Sequence, residues 1–94
     1  MVEKQPYRAQ VPAVARAVQA LEHLAAASQP VSLSGLSRAL GVGPSSLLAI
    51  LTTLRSFGLV TRGGRDGRYR PGPALAALGA AAAWVSGRAH CWPS

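Results

Sequence analysis

VSLSGLSRALGVGPSSLLAILTTLRSFGLVTRGGRDGRYR, residues 31–70, contains two short segments of helical periodicity, a glycine-bounded turn between them and an arginine-studded segment after them. In the first segment Leu33, Leu36 and Leu40 fall on one side of a helix running from Leu33 to Leu40, and Ser32 is a suitable N-cap for it. Gly41 stands where the chain must leave that helix in a left-handed conformation, and Val42 leads to Gly43 and Pro44. Pro44 suits the first position of a second helix, since its missing N–H would have had no partner within that helix. On this helix Leu47, Ile50, Leu51 and Leu54 share one side, and it ends at Gly58, with Phe57 and Leu59 expected to pack against the preceding helices. Val60–Arg62 and Arg68–Arg70 have the length of two strands, joined by Gly63, Gly64, Arg65, Asp66 and Gly67. Helix, tight turn, helix and basic hairpin in this order predict a mainly α fold with a small β-hairpin, a winged helix-turn-helix.

Upstream, Val14, Ala17, Val18, Leu21, Leu24 and Ala25 recur at helical spacing and predict a first helix over about Pro12–Ala27 with one buried stripe. Ser28, Gln29 and Pro30 end it, and Val31 and Ser32 suit a short extended piece. Downstream, the alanine-rich segment Ala74–Trp84 has strong helix propensity and an apolar side at Leu75, Leu78 and Ala82, which predicts a linker helix. The expected organisation is a flexible tail over 1–10, a DNA-binding domain over 11–72, and a linker helix with a frayed tail over 73–94.

The 94 residues suffice for one small core and leave no room for an enclosed substrate cavity. Two glutamates and one aspartate, widely separated, offer no pair for acid–base catalysis, and the neighbours His90 and Cys91 do not make a zinc site. No enzyme, cofactor or metal is therefore expected. Ten Lys and Arg against three Asp and Glu give a formal charge of +7, a surplus that favours a polyanionic partner. The longest apolar stretch, Ala74–Val85, is too short for the roughly 20 residues of a membrane span, so no membrane is expected. A lone cysteine and a polar first ten residues, without the apolar core of a signal peptide, point to the cytoplasm.

A helix in the DNA major groove must turn one face to the domain and the other to base edges. Opposite the leucine stripe lie Ser45, Ser46, Ala49, Thr52, Thr53 and Ser56, all small and uncharged. Hydroxyls there can reach phosphates or bases, and methyls can touch a thymine methyl, but no Arg or Asn offers a bidentate base contact. Affinity is expected from Arg62, Arg65, Arg68 and Arg70 on the hairpin, with Arg38 and Arg55 at the edges of the helical pair. The opposing expectation is a solvated hairpin and a winged helix used for protein interaction or dimerisation, with Trp84 and the alanine-rich helix as its pairing surface. Tyr69 is expected to pack on the core, and His23 to be half-buried.

VARAVQALEHLA, VSLSGLSRALGV, GPSSLLAILTTLRSFGLV, YRPG and ALAALGA, in this order over roughly residues 11–80, resemble the N-terminal DNA-binding domain of the IclR family of bacterial transcriptional regulators. The resemblance implies a homodimer paired through the first and linker helices, bound to double-stranded DNA at a pseudo-palindromic operator. Ala49 stands where many members carry a basic residue, and Pro44 near a position often occupied by lysine. The family's larger effector-binding domain has no counterpart in these residues, so the expectation is a truncated form with no small-molecule effector.

Overall fold

The computed structural model describes residues 11–89. The expected tail over residues 1–10 and the pair His90 and Cys91 lie outside them. The order of elements is α1 (Pro12–Ala26), α2 (Leu33–Leu40), α3 (Pro44–Ser56), β1 (Val60–Arg62), β2 (Tyr69–Pro71) and α4 (Pro73–Ala89). This is the winged helix-turn-helix that the sequence predicts, with α2 and α3 as the helical pair and the antiparallel β1–β2 hairpin as the wing.

Local chemistry sets the boundaries. The Ser32 hydroxyl accepts the Gly35 N–H at 3.1 Å and so satisfies one of the orphan donors at the start of α2. Gly41, at φ 68°, ends that helix, with its N–H on the Ser37 carbonyl at 2.9 Å, and the Ser37 hydroxyl donates across the turn to the Val42 carbonyl. At the far end of α3 the Gly58 N–H reaches the Arg55 carbonyl and the Leu59 N–H the Leu54 carbonyl, both at 3.0 Å. That pair of bonds requires a left-handed residue at position 58, where φ is 76°.

Ala20, Leu24, Leu36, Val42, Leu47, Leu51, Leu54, Val60 and Tyr69 form one buried core, with Leu33, Leu40, Ile50 and Leu59 packed against it. The inward faces of α2 and α3 are the ones predicted, and Tyr69 is buried at 2% exposure. Its backbone also exchanges both hydrogen bonds with Val31, which joins the wing to the segment ahead of α2.

Several expectations need correction. Val14 and Val18 are exposed, at 59% and 47%, so the α1 core face consists of Ala17, Ala20, Leu21 and Leu24, one step round the helix from the predicted stripe. Phe57 is 69% exposed, because the left-handed turn at Gly58 directs Leu59 inward in its place. The linker helix continues past Trp84 to Ala89, its alanine propensity outweighing the roughly 1 kcal/mol cost of each of its two internal glycines, Gly79 and Gly87. On that helix Leu75 is half-buried, whereas Leu78 and Ala82 are exposed. β2 also starts one residue later than predicted, at Tyr69.

Gly72 fixes where α4 departs. Its N–H bonds to the Leu59 carbonyl at 2.8 Å, and the Ala74 N–H bonds to the Gly58 carbonyl at 3.0 Å. A Cβ on residue 72 would collide with the Gly58 carbonyl oxygen and lie 2.9 Å from both Leu59 C and Val60 N, all backbone atoms that cannot rotate away. Gly72→Ala is expected to destabilise the fold by about 1–3 kcal/mol, as overpacking does. Urea unfolding at constant m-value measures it, and an unchanged midpoint would contradict the close approach.

Candidate nucleic-acid interface

The outward face of α3 follows from its inward one. With Leu47, Leu51 and Leu54 buried, Ser45, Ser46, Ala49, Thr52 and Thr53 all stand exposed, as does Ser56. The amides of Ser45 and Ser46 precede the first α3 hydrogen bond, Leu47 N–H to the Gly43 carbonyl at 2.9 Å, and are positioned to donate to a phosphate oxygen. Two hydroxyls on this face are already committed within the helix. Thr53 donates to the Ala49 carbonyl at 2.9 Å, and Ser56 donates to the Thr53 carbonyl at 2.6 Å.

Beside this face the hairpin turns back and leaves an open cleft against the last turns of α3. Arg55, Arg62, Gly63, Gly64, Arg65, Asp66 and Gly67 line its part toward the hairpin tip, and Thr52, Arg55, Ser56, Val60, Thr61 and Arg62 the adjoining part along α3 and β1. Arg55, Arg62 and Arg65 thus meet around one cleft, although six residues of sequence separate the first two. Arg38, Arg68 and Arg70 lie outside it. Arg38 is exposed on α2 and Arg68 on the hairpin.

The arginines differ in how much of each remains for a partner. The Arg62 side chain donates through Nε to the Gly67 carbonyl at 3.2 Å and lies 5.7 Å from the centre of the Tyr69 ring, which sets it as a strut across the hairpin. Arg70 pairs with Asp66 at 3.6 Å, a half-exposed contact that solvent screens. Arg38, Arg55, Arg65 and Arg68 make no side-chain hydrogen bond or ion pair with any described residue.

Asp66 organises the hairpin tip. Its carboxylate accepts the Arg68 N–H at 2.9 Å, and the Gly63 N–H closes the turn on the Arg68 carbonyl at 2.8 Å. The Arg68 amide holds the Asp66 carboxyl below its ordinary value; desolvation opposes it, and the charges of Arg70 and Arg68 act in the same direction as the amide. A lowered folded value means that the clamp is fully present above the ordinary carboxylate range and is lost as pH falls through the lowered value. The Arg68 amide resonance is expected to titrate together with the Asp66 carboxyl, and an Arg68 amide that stays still through that range would contradict the clamp.

Leu48, 45% exposed on the flank of α3, and Thr61, half-buried and lining the cleft, are candidate interface residues that the sequence does not single out. Leu48 looks like one more core leucine until the α3 packing is known. Thr61 carries no signal apart from its pairing with Arg70 across the hairpin. Among the described residues no three His, Cys, Asp or Glu side chains cluster as metal ligands, and no helix is long and apolar enough to cross a membrane.

Residues 13–64 match the IclR helix-turn-helix domain. No curated protein matches the chain. Among solved structures, an IclR transcriptional regulator from Alicyclobacillus acidocaldarius is 35% identical, with a TM-score of 0.72 over 78% of this chain and 30% of that one. HmgR of Pseudomonas aeruginosa is 26% identical, with a TM-score of 0.71 over 77% of this chain and 30% of its own. The Agobacterium tumefaciens repressor BlcR is 28% identical, with a TM-score of 0.67 over 76% of this chain and 28% of its own. The chain thus spans less than a third of the length of each of these three proteins.

Proposed function

The chain belongs to the IclR helix-turn-helix family, and from that premise we propose that it is a DNA-binding transcriptional regulator and not an enzyme. In this reading α3 enters the major groove through Ser45, Ser46, Ala49, Thr52 and Thr53. The wing lies along the adjoining backbone. One observation carries it: the exposed side of α3 shares an edge with a cleft that brings together Arg55, Arg62 and Arg65. A surface of that kind places cationic groups against phosphates while a neutral helix approaches the bases. Arg38, Arg68 and Arg70 add to the cationic field around it. Cytoplasmic double-stranded DNA is the partner assigned.

Pairing of two copies through α1 and α4 is part of the proposal. Val11 at the N-cap of α1 and Val14 and Val18 on the helix, spaced three and four apart, are 56%, 59% and 47% exposed, and Leu78 on α4 is 60% exposed. Apolar side chains aligned on one helix face suit a second copy better than water. That same face keeps open the alternative of a winged helix that only associates with protein.

Selection of bound duplexes from random DNA by the purified chain, with a salt titration of the recovered site and sedimentation of the free protein, separates these readings. The expected result is a recovered site with related half-sites, and an affinity that falls steeply with salt at about 0.9 log units per phosphate contacted. Salt-insensitive self-association with no duplex recovered would overturn the DNA reading in favour of the alternative.

A further inference from the structure

We infer that α3 selects base pairs bearing a pyrimidine C5-methyl group, thymine above all, through an apolar patch formed by Leu48, Ala49 and Thr52. This rests on the DNA-binding reading of the same helix and names the bases that it recognises.

The hydrogen-bonding inventory of the exposed side of α3 is small. It carries no Asn, Gln, Lys, Asp or Glu, and its single arginine, Arg55, lines the cleft toward the hairpin. The Thr53 hydroxyl proton is on the Ala49 carbonyl and the Ser56 hydroxyl proton on the Thr53 carbonyl. Neither is free to donate to a base edge, so discrimination of guanine or adenine by paired hydrogen bonds has no candidate reader here. What the helix does present is carbon. Leu48 is 45% exposed although the leucines on either side of its face, Leu47 and Leu51, are fully buried. Thr52 lies four residues after Leu48 and three after Ala49, so it borders both on the helix surface and joins them into one patch.

Charge complementarity decides what covers that patch. It lies on the helix whose last turns form one wall of the Arg55–Arg62–Arg65 cleft, and Thr52 itself lines the adjoining part that shares Arg55 and Arg62. A partner that covers the patch therefore also lays negative charge against three guanidinium groups. Duplex DNA does both, because the thymine methyl is the one apolar group on the floor of the major groove and the phosphates flank it.

The test compares the duplex recovered by selection with the same duplex in which deoxyuridine replaces thymidine throughout the half-sites. This swap removes the methyl and leaves every hydrogen-bonding group in place. A duplex with deoxyuridine only in its flanks is the reference. Affinity is expected to fall about fourfold for each methyl contacted, the effect of withdrawing one buried carbon from apolar contact, with no change in salt slope. Leu48→Ser, at a position that is not part of the core, is expected to bind both duplexes alike near the deoxyuridine level while its circular dichroism and salt slope stay those of the parent. Equal affinity of the parent chain for thymidine and deoxyuridine duplexes, with steep salt dependence intact, overturns the methyl inference and leaves the DNA reading standing. Absence of any salt-dependent duplex binding overturns both.

Discussion

Reversing two charges in the cleft, as Arg55→Glu with Arg65→Glu, is expected to lower duplex affinity by about 10²–10³-fold near 0.15 M salt and to flatten the salt dependence by about two log units. Each arginine lost removes one site of counterion release, worth about fivefold at that salt concentration, and each glutamate gained sets a carboxylate against a phosphate. Both side chains are exposed and make no side-chain hydrogen bond or ion pair with a described residue, so the fold has little at stake in them. Unchanged thermal unfolding would show this. Arg62 and Arg70 are poorer choices for the same experiment. Arg62 braces the hairpin through the Gly67 carbonyl and the Tyr69 ring, and Arg70 pairs with Asp66, so their loss would alter the wing itself. Filter binding or fluorescence anisotropy over a range of salt measures the effect, and an unaltered slope would remove the cleft from the interface.

The largest stability effect is expected at Tyr69. Its ring is among the largest wholly enclosed side chains in the core, and truncation to alanine is expected to cost about 3–5 kcal/mol from transfer and cavity together. A domain of this size has only about 5–15 kcal/mol in all. The loss also reaches the wing, because the ring anchors the β2 residue whose backbone pairs with Val31 and supports the Arg62 guanidinium. Tyr69→Phe keeps the ring and is expected to stay within about 1 kcal/mol of the parent. Urea unfolding of the two variants measures the difference. Alanine and phenylalanine variants of equal stability would contradict the placement of the ring.

The helical pair was legible because its signals are local. Ser32, Gly41 and Pro44 act within a few residues of themselves, and Leu47, Ile50, Leu51 and Leu54 repeat at a spacing that one helix face satisfies. Val14, Val18 and Phe57 were assigned to the core for a different reason: periodicity reports that a helix has an apolar side, and not which other element covers it. On α1 the covering elements meet a face centred on Ala20 and Leu24, and two valines remain outside. The count of wing arginines was visible, but their division into braces and free cations was not. That division depends on a carbonyl at Gly67, a ring at Tyr69 and a carboxylate at Asp66, which come together only once the hairpin closes. The neutrality of α3 was plain from its composition, whereas the commitment of the Thr53 and Ser56 protons to their own helix needs coordinates.

Two backbone bonds at Gly58 and Leu59 weld the stem of α4 to the tail of α3, and the missing side chain at Gly72 lets them sit that close. In a paired assembly gripped along α4, each recognition helix is then carried like the head of a rigid key on its shank. One base pair inserted between half-sites advances the second by about 3.4 Å and turns it by about 34° around the duplex axis. A stiff shank cannot follow that turn, so the protein would measure the rotational phase of its target as strictly as the letters within it.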